Sequence, residues 1–277
     1  MDPQLLIIII SLTAVGLGCG IAIYLANRFL PEEDETLQEA EEIHKYLPGM
    51  DCGACGHPGC FAYAKEVARD ASTLKTTPCM TLMNDEEALE KLGDYLGVDL
   101  SGGEKKVAVV HCVGESDTIY DYDGVETCKS AMQLSAGFKR CPYGCLGLGD
   151  CVKVCPVDAI SINKEKGVAE IDPEKCIGCG LCVDECPNDL IELIPAEMPQ
   201  YLGCNYLSKK DIPGRERCDT GCIHCRLCVK FAEEDEVQWD EEKDLPYFDP
   251  EKCLPAPDSI EKCPRDIIIP RDVEKNK

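Results

Sequence analysis

The sequence predicts an α+β chain: an apolar N-terminal helix, a small helical module with four cysteines, and two tandem copies of a short-strand cysteine module, the second degenerate. Three observations predict it. Residues 5–30 form the only long apolar stretch of the sequence. The 22 cysteines among 277 residues fall into tight runs, most with two or three residues between members. The stretch IDPEKC, ending at Cys176, returns as FDPEKC at Cys253, an offset of 77 residues.

The apolar stretch, LLIIIISLTAVGLGCGIAIYLANRFL, carries no charge before Arg28, and about 20 apolar residues span a bilayer. A cleavable signal peptide is the rival reading, but it needs a basic start, a shorter apolar core and an A-x-A-like site. Here the chain starts MDPQ and the apolar run is longer. Gly-Leu-Gly-Cys at Cys19 loosely matches a lipoprotein site, with Gly16 standing where a large aliphatic residue belongs. A retained transmembrane anchor over 1–30 is therefore expected, with residues 5–27 in lipid and Cys19 packed within it. Gly16, Gly18 and Gly20 would allow a neighbouring helix to approach closely.

The formal charge of −24, from 52 acidic and 28 basic residues, argues against a nucleic-acid partner, which needs clustered Lys and Arg. Acids concentrate in two runs, ten between Glu233 and Glu251 and seven between Glu32 and Glu42, read as solvated faces or connectors. An acidic linker is expected at 31–48. The four-cysteine module follows at 49–100, with helices over Phe61–Ser72 and from Asp85 to Leu96, the second capped by Asn84. An α/β connecting segment at 101–136 contains a buried strand, Lys105–Val113.

Cysteines this tightly spaced suit wrapping one metal centre better than cross-linking distant loops. Cys176, Cys179, Cys182 and Cys186, followed by Pro187, match C-x2-C-x2-C-x3-C-P. This is the spacing of bacterial 4Fe–4S ferredoxins, in which the fourth cysteine serves the other cluster of a pair; zinc sites use separated C-x2-C pairs. Upstream, Cys141, Cys145, Cys151 and Cys155 form a stretched run ending in Pro156. Cross-ligation then predicts one cluster on Cys141, Cys145, Cys151 and Cys186, and another on Cys155, Cys176, Cys179 and Cys182. Residues 137–196 are thus expected to form a two-cluster ferredoxin-like domain.

Under the 77-residue offset, the copy at 197–270 replaces Cys155, Cys179 and Cys182 by Ala232, Ala256 and Ser259, and replaces Leu148 by Cys225. Cys222, Cys225 and Cys228 remain as a triad, with Cys263 as the cross-ligand, so this degenerate ferredoxin-like domain should hold one cluster. Residues 271–277 are a tail. The module at 49–100 offers Cys52, Cys55, Cys60 and Cys79, with Gly53, Gly56 and Gly59 allowing tight folding around either a cluster or zinc. With a cluster rather than zinc in that module, four 4Fe–4S clusters are expected in all. Cys112, Cys128, Cys204, Cys218 and Cys253 are left over as buried small hydrophobes or ligands of a further cluster, with Cys128 and Cys204 as possible counterparts ahead of a ligand run.

Taken together, the apolar anchor, MDCGACGHPGC with Cys79, HCVG at His111, KRCPYGCLGLGDCVKVCP and the paired runs resemble the B-subunit family of Rnf complexes, the ion-translocating ferredoxin:NAD oxidoreductases of bacteria. The resemblance covers nearly the whole chain and implies a 4Fe–4S cluster rather than zinc at the N-terminal site. It implies an iron–sulfur subunit that accepts electrons from soluble ferredoxin and relays them to other membrane subunits. The complex as a whole would reduce NAD and move sodium ions or protons. It also implies a single-pass protein of the bacterial inner membrane with its bulk in the cytoplasm, where thiolates persist. Neither a nucleophile–base pair nor a phosphate loop is evident, so no bond-making site is expected in this chain. Lys139, Arg140, Lys153, Lys164, Lys166 and Lys175 around the first pair are candidates for docking an acidic ferredoxin. An accessory polyferredoxin of another membrane oxidoreductase, such as a hydrogenase or formate-oxidising complex, is the alternative.

Overall fold

The structure, a computed structural model, describes residues 3–29, 34–100, 105–114, 117–207, 216–233, 236–252 and 254–272. The apolar run folds as one helix, α1 (Pro3–Phe29, 27 residues), with proline in the first turn where its missing N–H is harmless. At 1.5 Å per residue α1 is about 40 Å long. Its side chains from Leu12 to Leu25 are all exposed, so nothing in the protein body covers them. Among the described residues no helix is long and apolar enough to cross a membrane. The side chains of residues 5–11, the most aliphatic run of α1 in sequence, lie outside that description.

The helical module comprises α2 (Asp34–His44), α3 (Cys60–Arg69), α4 (Thr73–Thr76), α5 (Met80–Met83) and α6 (Glu86–Leu96). Ile43, Tyr63, Leu74, Leu82 and Leu92 form its core, each almost completely buried and each contributing on the order of 2 kcal/mol by leaving water. Helix α2 covers residues expected to be linker and packs on α3. Helix α3 stops three residues short of expectation because Asp70 turns extended and its carboxylate accepts the Ser72 N–H at 2.9 Å. Asp85, not Asn84, caps α6, accepting the Ala88 N–H at 3.0 Å.

Asn84 has a different task. Its amide donates to the carbonyls of Lys106 (3.0 Å) and Ile177 (2.8 Å), and its oxygen accepts the Lys106 N–H (2.9 Å). One side chain thus ties the helical module to two segments of the next. Gly178 sits at φ +63°, and a Cβ there would collide with the Asn84 amide and the Lys106 carbonyl. Replacing Asn84 by Ala should cost about 1–3 kcal/mol, because buried backbone groups lose their partner. Hydrogen exchange at the Lys106 N–H, the one amide proton that Asn84 accepts, checks this, and unchanged protection would refute it.

Beyond residue 105 the chain builds one topology twice. The first copy has β1 (Lys106–Val110), α7 (Cys128–Met132), α8 (Asp150–Lys153), β2 (Ile160–Asn163), β3 (Val168–Ile171), α9 (Leu181–Glu185) and β4 (Ile191–Pro195). The second has β5 (Gln200–Leu202), α10 (Leu227–Phe231), β6 (Gln238–Asp240), β7 (Leu245–Tyr247), α11 (Pro257–Glu261) and β8 (Ile268–Pro270). In each copy the first and last strands pair antiparallel, and the middle two form a hairpin. Val110 opposite Ile191 corresponds to Leu202 opposite Ile268. The strand expected in a connecting segment is therefore the first strand of the first copy. After Lys106 it is apolar, and both its faces are buried. Ala108 and Val110 face the first copy's core, while Val107 and Val109 join that of the second.

Candidate iron–sulfur sites

The described cysteines beyond α1 gather into five groups. In site I, Cys52, Cys55, Cys60 and Cys79 surround one cavity, as the spacing predicts. The Asp51 carboxylate accepts the Cys60 N–H at 2.6 Å and so fixes the start of α3. The Tyr63 hydroxyl donates to the Thr77 carbonyl at 3.0 Å, pinning the turn that brings Cys79 back.

Site II is the predicted set of Cys155, Cys176, Cys179 and Cys182, drawn from both runs and mutually close. The Ala159 N–H donates to Cys155 Sγ at 3.2 Å and the Ala108 N–H to Cys176 Sγ at 3.4 Å. Cys52 of site I lies within electrostatic reach of Cys179. Site V is also as predicted, with Cys222, Cys225, Cys228 and Cys263 around one cavity.

The remaining two groups differ from expectation. Cys145, Cys151 and Cys186 share a cavity with Cys128, not Cys141, and form site III. Cys128 begins α7, where the Thr127 hydroxyl accepts the Ser130 N–H at 3.2 Å and the Asp150 carboxylate accepts the Lys129 N–H at 3.2 Å. The second copy held the clue. Its intact triad is 222-225-228, so the first copy's triad is 145-148-151, with Leu148 where a cysteine is missing. Cys128 fills that gap from a separate helix. The expected kinship of Cys128 with Cys204 is likewise corrected. Cys204 follows β5 as Cys112 follows β1, and the two form an antiparallel bridge. Cys141 lies with Cys112, Cys204 and Cys218 around another cavity, which forms site IV. Cys253 lies outside the described residues.

The second copy shows why its other cluster position is closed. Ala256 and Ser259 are fully buried, and the Ser259 hydroxyl donates to the Cys228 carbonyl at 2.7 Å. Gln200 stands where the first copy has Ala108. Its amide reaches the Leu254 carbonyl at 2.7 Å and accepts the Ala256 N–H at 3.4 Å. Buried Ala256 and Ser259 thus stand where the first copy has Cys179 and Cys182.

Burial pushes the thiols up, Cys145, Cys204, Cys222 and Cys228 to about 11 and Cys151 and Cys182 to about 12. Metal-free, these groups are neutral thiols at pH 7, so loading iron releases protons. Among the described residues no three His, Cys, Asp or Glu converge tightly enough for a single metal ion. A cubane carries its four irons at separate corners and needs its sulfurs held apart. Groups of four cysteines, at sites I, III, IV and V around one cavity each, with N–H donors aimed at several of the sulfurs, fit that cofactor.

Known proteins show the same pattern. The family described as a 4Fe-4S dicluster domain matches residues 140–190, and an Fe-S cluster family matches residues 47–75. The B subunit of the Na(+)-translocating ferredoxin:NAD(+) oxidoreductase complex of Acetobacterium woodii is 33% identical over 263 residues, 94% of this chain and 75% of that protein. The B subunit of the ion-translocating oxidoreductase complex of Methanosarcina acetivorans is 32% identical over 272 residues, 97% of this chain and 99% of that one. This chain belongs to the B-subunit family of ion-translocating oxidoreductase complexes. A third member of the family, from the proton-translocating ferredoxin:NAD(+) oxidoreductase complex of Clostridium ljungdahlii, is 32% identical over 95% of this chain and 91% of its own length. As a member of this family, the chain is an iron–sulfur protein of the 4Fe–4S type.

Proposed function

We propose that this chain is the iron–sulfur electron-transfer subunit of a membrane ion-translocating ferredoxin:NAD oxidoreductase. It accepts electrons from reduced soluble ferredoxin and passes them to the other subunits. The observation that carries the reading is a file of neighbouring cysteine sites. Site I reaches site II through Cys52 and Cys179, and sites II and III share the two cysteine runs of the first copy by cross-ligation. When bound, 4Fe–4S clusters supply one-electron redox centres whose potentials follow burial, charge and hydrogen bonds to sulfur. The chain's own part is to space the sites, exclude water from them and aim N–H groups at the sulfurs. The names of the related proteins support the ferredoxin and NAD assignment.

The anchor belongs to the same proposal. A 27-residue helix with an apolar sequence and every described side chain from Leu12 to Leu25 exposed exceeds the hydrocarbon thickness of about 30 Å. It is given a lipid environment, with the remainder on the cytoplasmic side.

Docking of ferredoxin is left to a muted basic surface. Arg140 pairs with Asp117 (3.1 Å) and Asp219 (3.3 Å), Lys153 with Asp150 (3.5 Å), Lys166 with Glu170 (3.5 Å) and Lys175 with Asp172 (3.4 Å). Reversing Lys153, Lys164, Lys166 and Lys175 to Glu should slow ferredoxin-dependent bleaching about tenfold at low salt, with dithionite reduction unaltered. An unchanged rate would remove this surface from the proposal. Reduced ferredoxin that cannot bleach a chain which dithionite bleaches would overturn the proposed function itself.

A further inference from the structure

Sites III and V lie in different copies of the repeat, and the cysteines between them have no assigned role. We propose that Cys112, Cys141, Cys204 and Cys218 bind a fifth 4Fe–4S cluster, at the junction of the two copies. The site is built by the repeat itself. Cys112 and Cys204 are equivalent residues, each two positions beyond the last residue of the first strand of its copy, and they face each other as an antiparallel bridge. Cys141 and Cys218 are equivalent under the 77-residue offset. Two pairs of matching cysteines thus meet around one cavity, two from each copy.

The hydrogen bonds repeat as well. The Cys145 N–H donates to Cys112 Sγ at 3.4 Å, and the Cys222 N–H to Cys204 Sγ at 3.3 Å. The Gly144 N–H returns to the Cys141 carbonyl at 3.3 Å, and the Gly221 N–H to the Cys218 carbonyl at 3.2 Å. A backbone donor aimed at sulfur stabilises a thiolate over a thiol. Gly221 leaves room at its turn, since a Cβ would stand 3.2 Å from Cys218 Sγ, whereas at Gly144 a Cβ would make only ordinary contact with Cys141 Sγ. Among the described residues no carboxylate lines the cavity, and Lys139 does, which suits a centre bearing four thiolates. Four buried or half-buried thiols that served only as packing would not require matched N–H donors on both sides.

The two sulfur-bound donors also locate the site. Cys145 is a residue of site III and Cys222 a residue of site V, so each neighbour is joined to the junction by one hydrogen bond. The second copy has closed its own inner position with Ala256, Ser259 and Gln200. The junction therefore stands in for the lost cluster as the connection to site V. This last point rests on the electron-relay reading; the metal site itself does not.

The test uses the full chain, purified without oxygen and reduced by dithionite rather than ferredoxin. Iron and acid-labile sulfide should come to about twenty per chain, four per cluster, and Cys112→Ser and Cys218→Ser should each lose about four irons and the same EPR component. Wild-type protein with about sixteen irons would overturn the site, whether or not the variants fold. So would either variant keeping its full iron content. If both variants fail to fold, about twenty irons in wild type that fall to about sixteen in Cys128→Ser would still require a fifth site outside I, II, III and V. A failure of ferredoxin to reduce the chain would leave these counts untouched and bear only on the proposed donor.

Discussion

Cys128→Ser should strip about four irons and one EPR component from the chain, and adding Leu148→Cys to that variant should restore them. Cys128 reaches site III from α7, while Cys145, Cys151 and Cys186 come from the two runs. The second copy carries Cys225 at the position of Leu148 and closes its site without a remote ligand. Placing cysteine at 148 therefore returns the first copy to the in-line arrangement that its repeat already uses. Iron and sulfide analysis of the single and double variants decides it. A Cys128→Ser protein with full iron would show that α7 supplies no ligand and that Cys141 serves site III as the spacing suggested.

Removal of all iron by oxidation and chelation should unfold residues 105–272 while leaving the helical module partly folded. The first copy's core is small: Ala108, Val110, Ile160, Ala169 and Ile191 are accompanied there by the buried thiols of Cys151 and Cys182. Two-stranded sheets of three to five residues are marginal without something to pack on. Cluster binding thus supplies folding free energy that the apolar contacts lack, and its loss should exceed about 5 kcal/mol, the whole stability of a small domain. The helical module has Ile43, Leu74, Leu82 and Leu92 as an aliphatic core of its own. Hydrogen exchange on the stripped protein should show residual protection in α2, α3 and α6 and almost none in β1 to β8. Retained strand protection would contradict this.

The stripped chain also has a predicted pH response. Burial holds the Cys79 thiol of the helical module above its ordinary value. The residual fold therefore favours the protonated thiol, so its stability is intact below the unfolded value of about 8.5 and falls as pH rises above it. The loaded protein holds this sulfur as a thiolate on iron and should show no such loss.

Much of the candidate site was legible in the sequence because ligands adjacent in sequence are adjacent in space. Cys176, Cys179 and Cys182 precede or open α9, and any compact fold of that loop points them to one centre. The 77-residue repeat, the lost cysteines at 232, 256 and 259, and the intact set of Cys222, Cys225, Cys228 and Cys263 were equally readable. Asn84 was read as a helix cap because local chemistry favours that use. Its actual partners, Lys106 and Ile177, are remote in sequence.

By itself, then, the sequence determined the cofactor class, 4Fe–4S clusters, located the cysteine runs that are candidates to hold them, and placed an apolar helix ahead of them. Tertiary structure alone decided the fourth member of site III and the membership of site IV. Cys128 joins site III because the Asp150 carboxylate of α8 accepts the Lys129 N–H and so holds the start of α7 there, and Cys141 leaves it for Cys112, Cys204 and Cys218. The physical reason is that a cluster's ligands must converge from separate segments. Their convergence depends on β1 pairing with β4, β5 with β8, and the bridge between Cys112 and Cys204 that sets the two copies face to face.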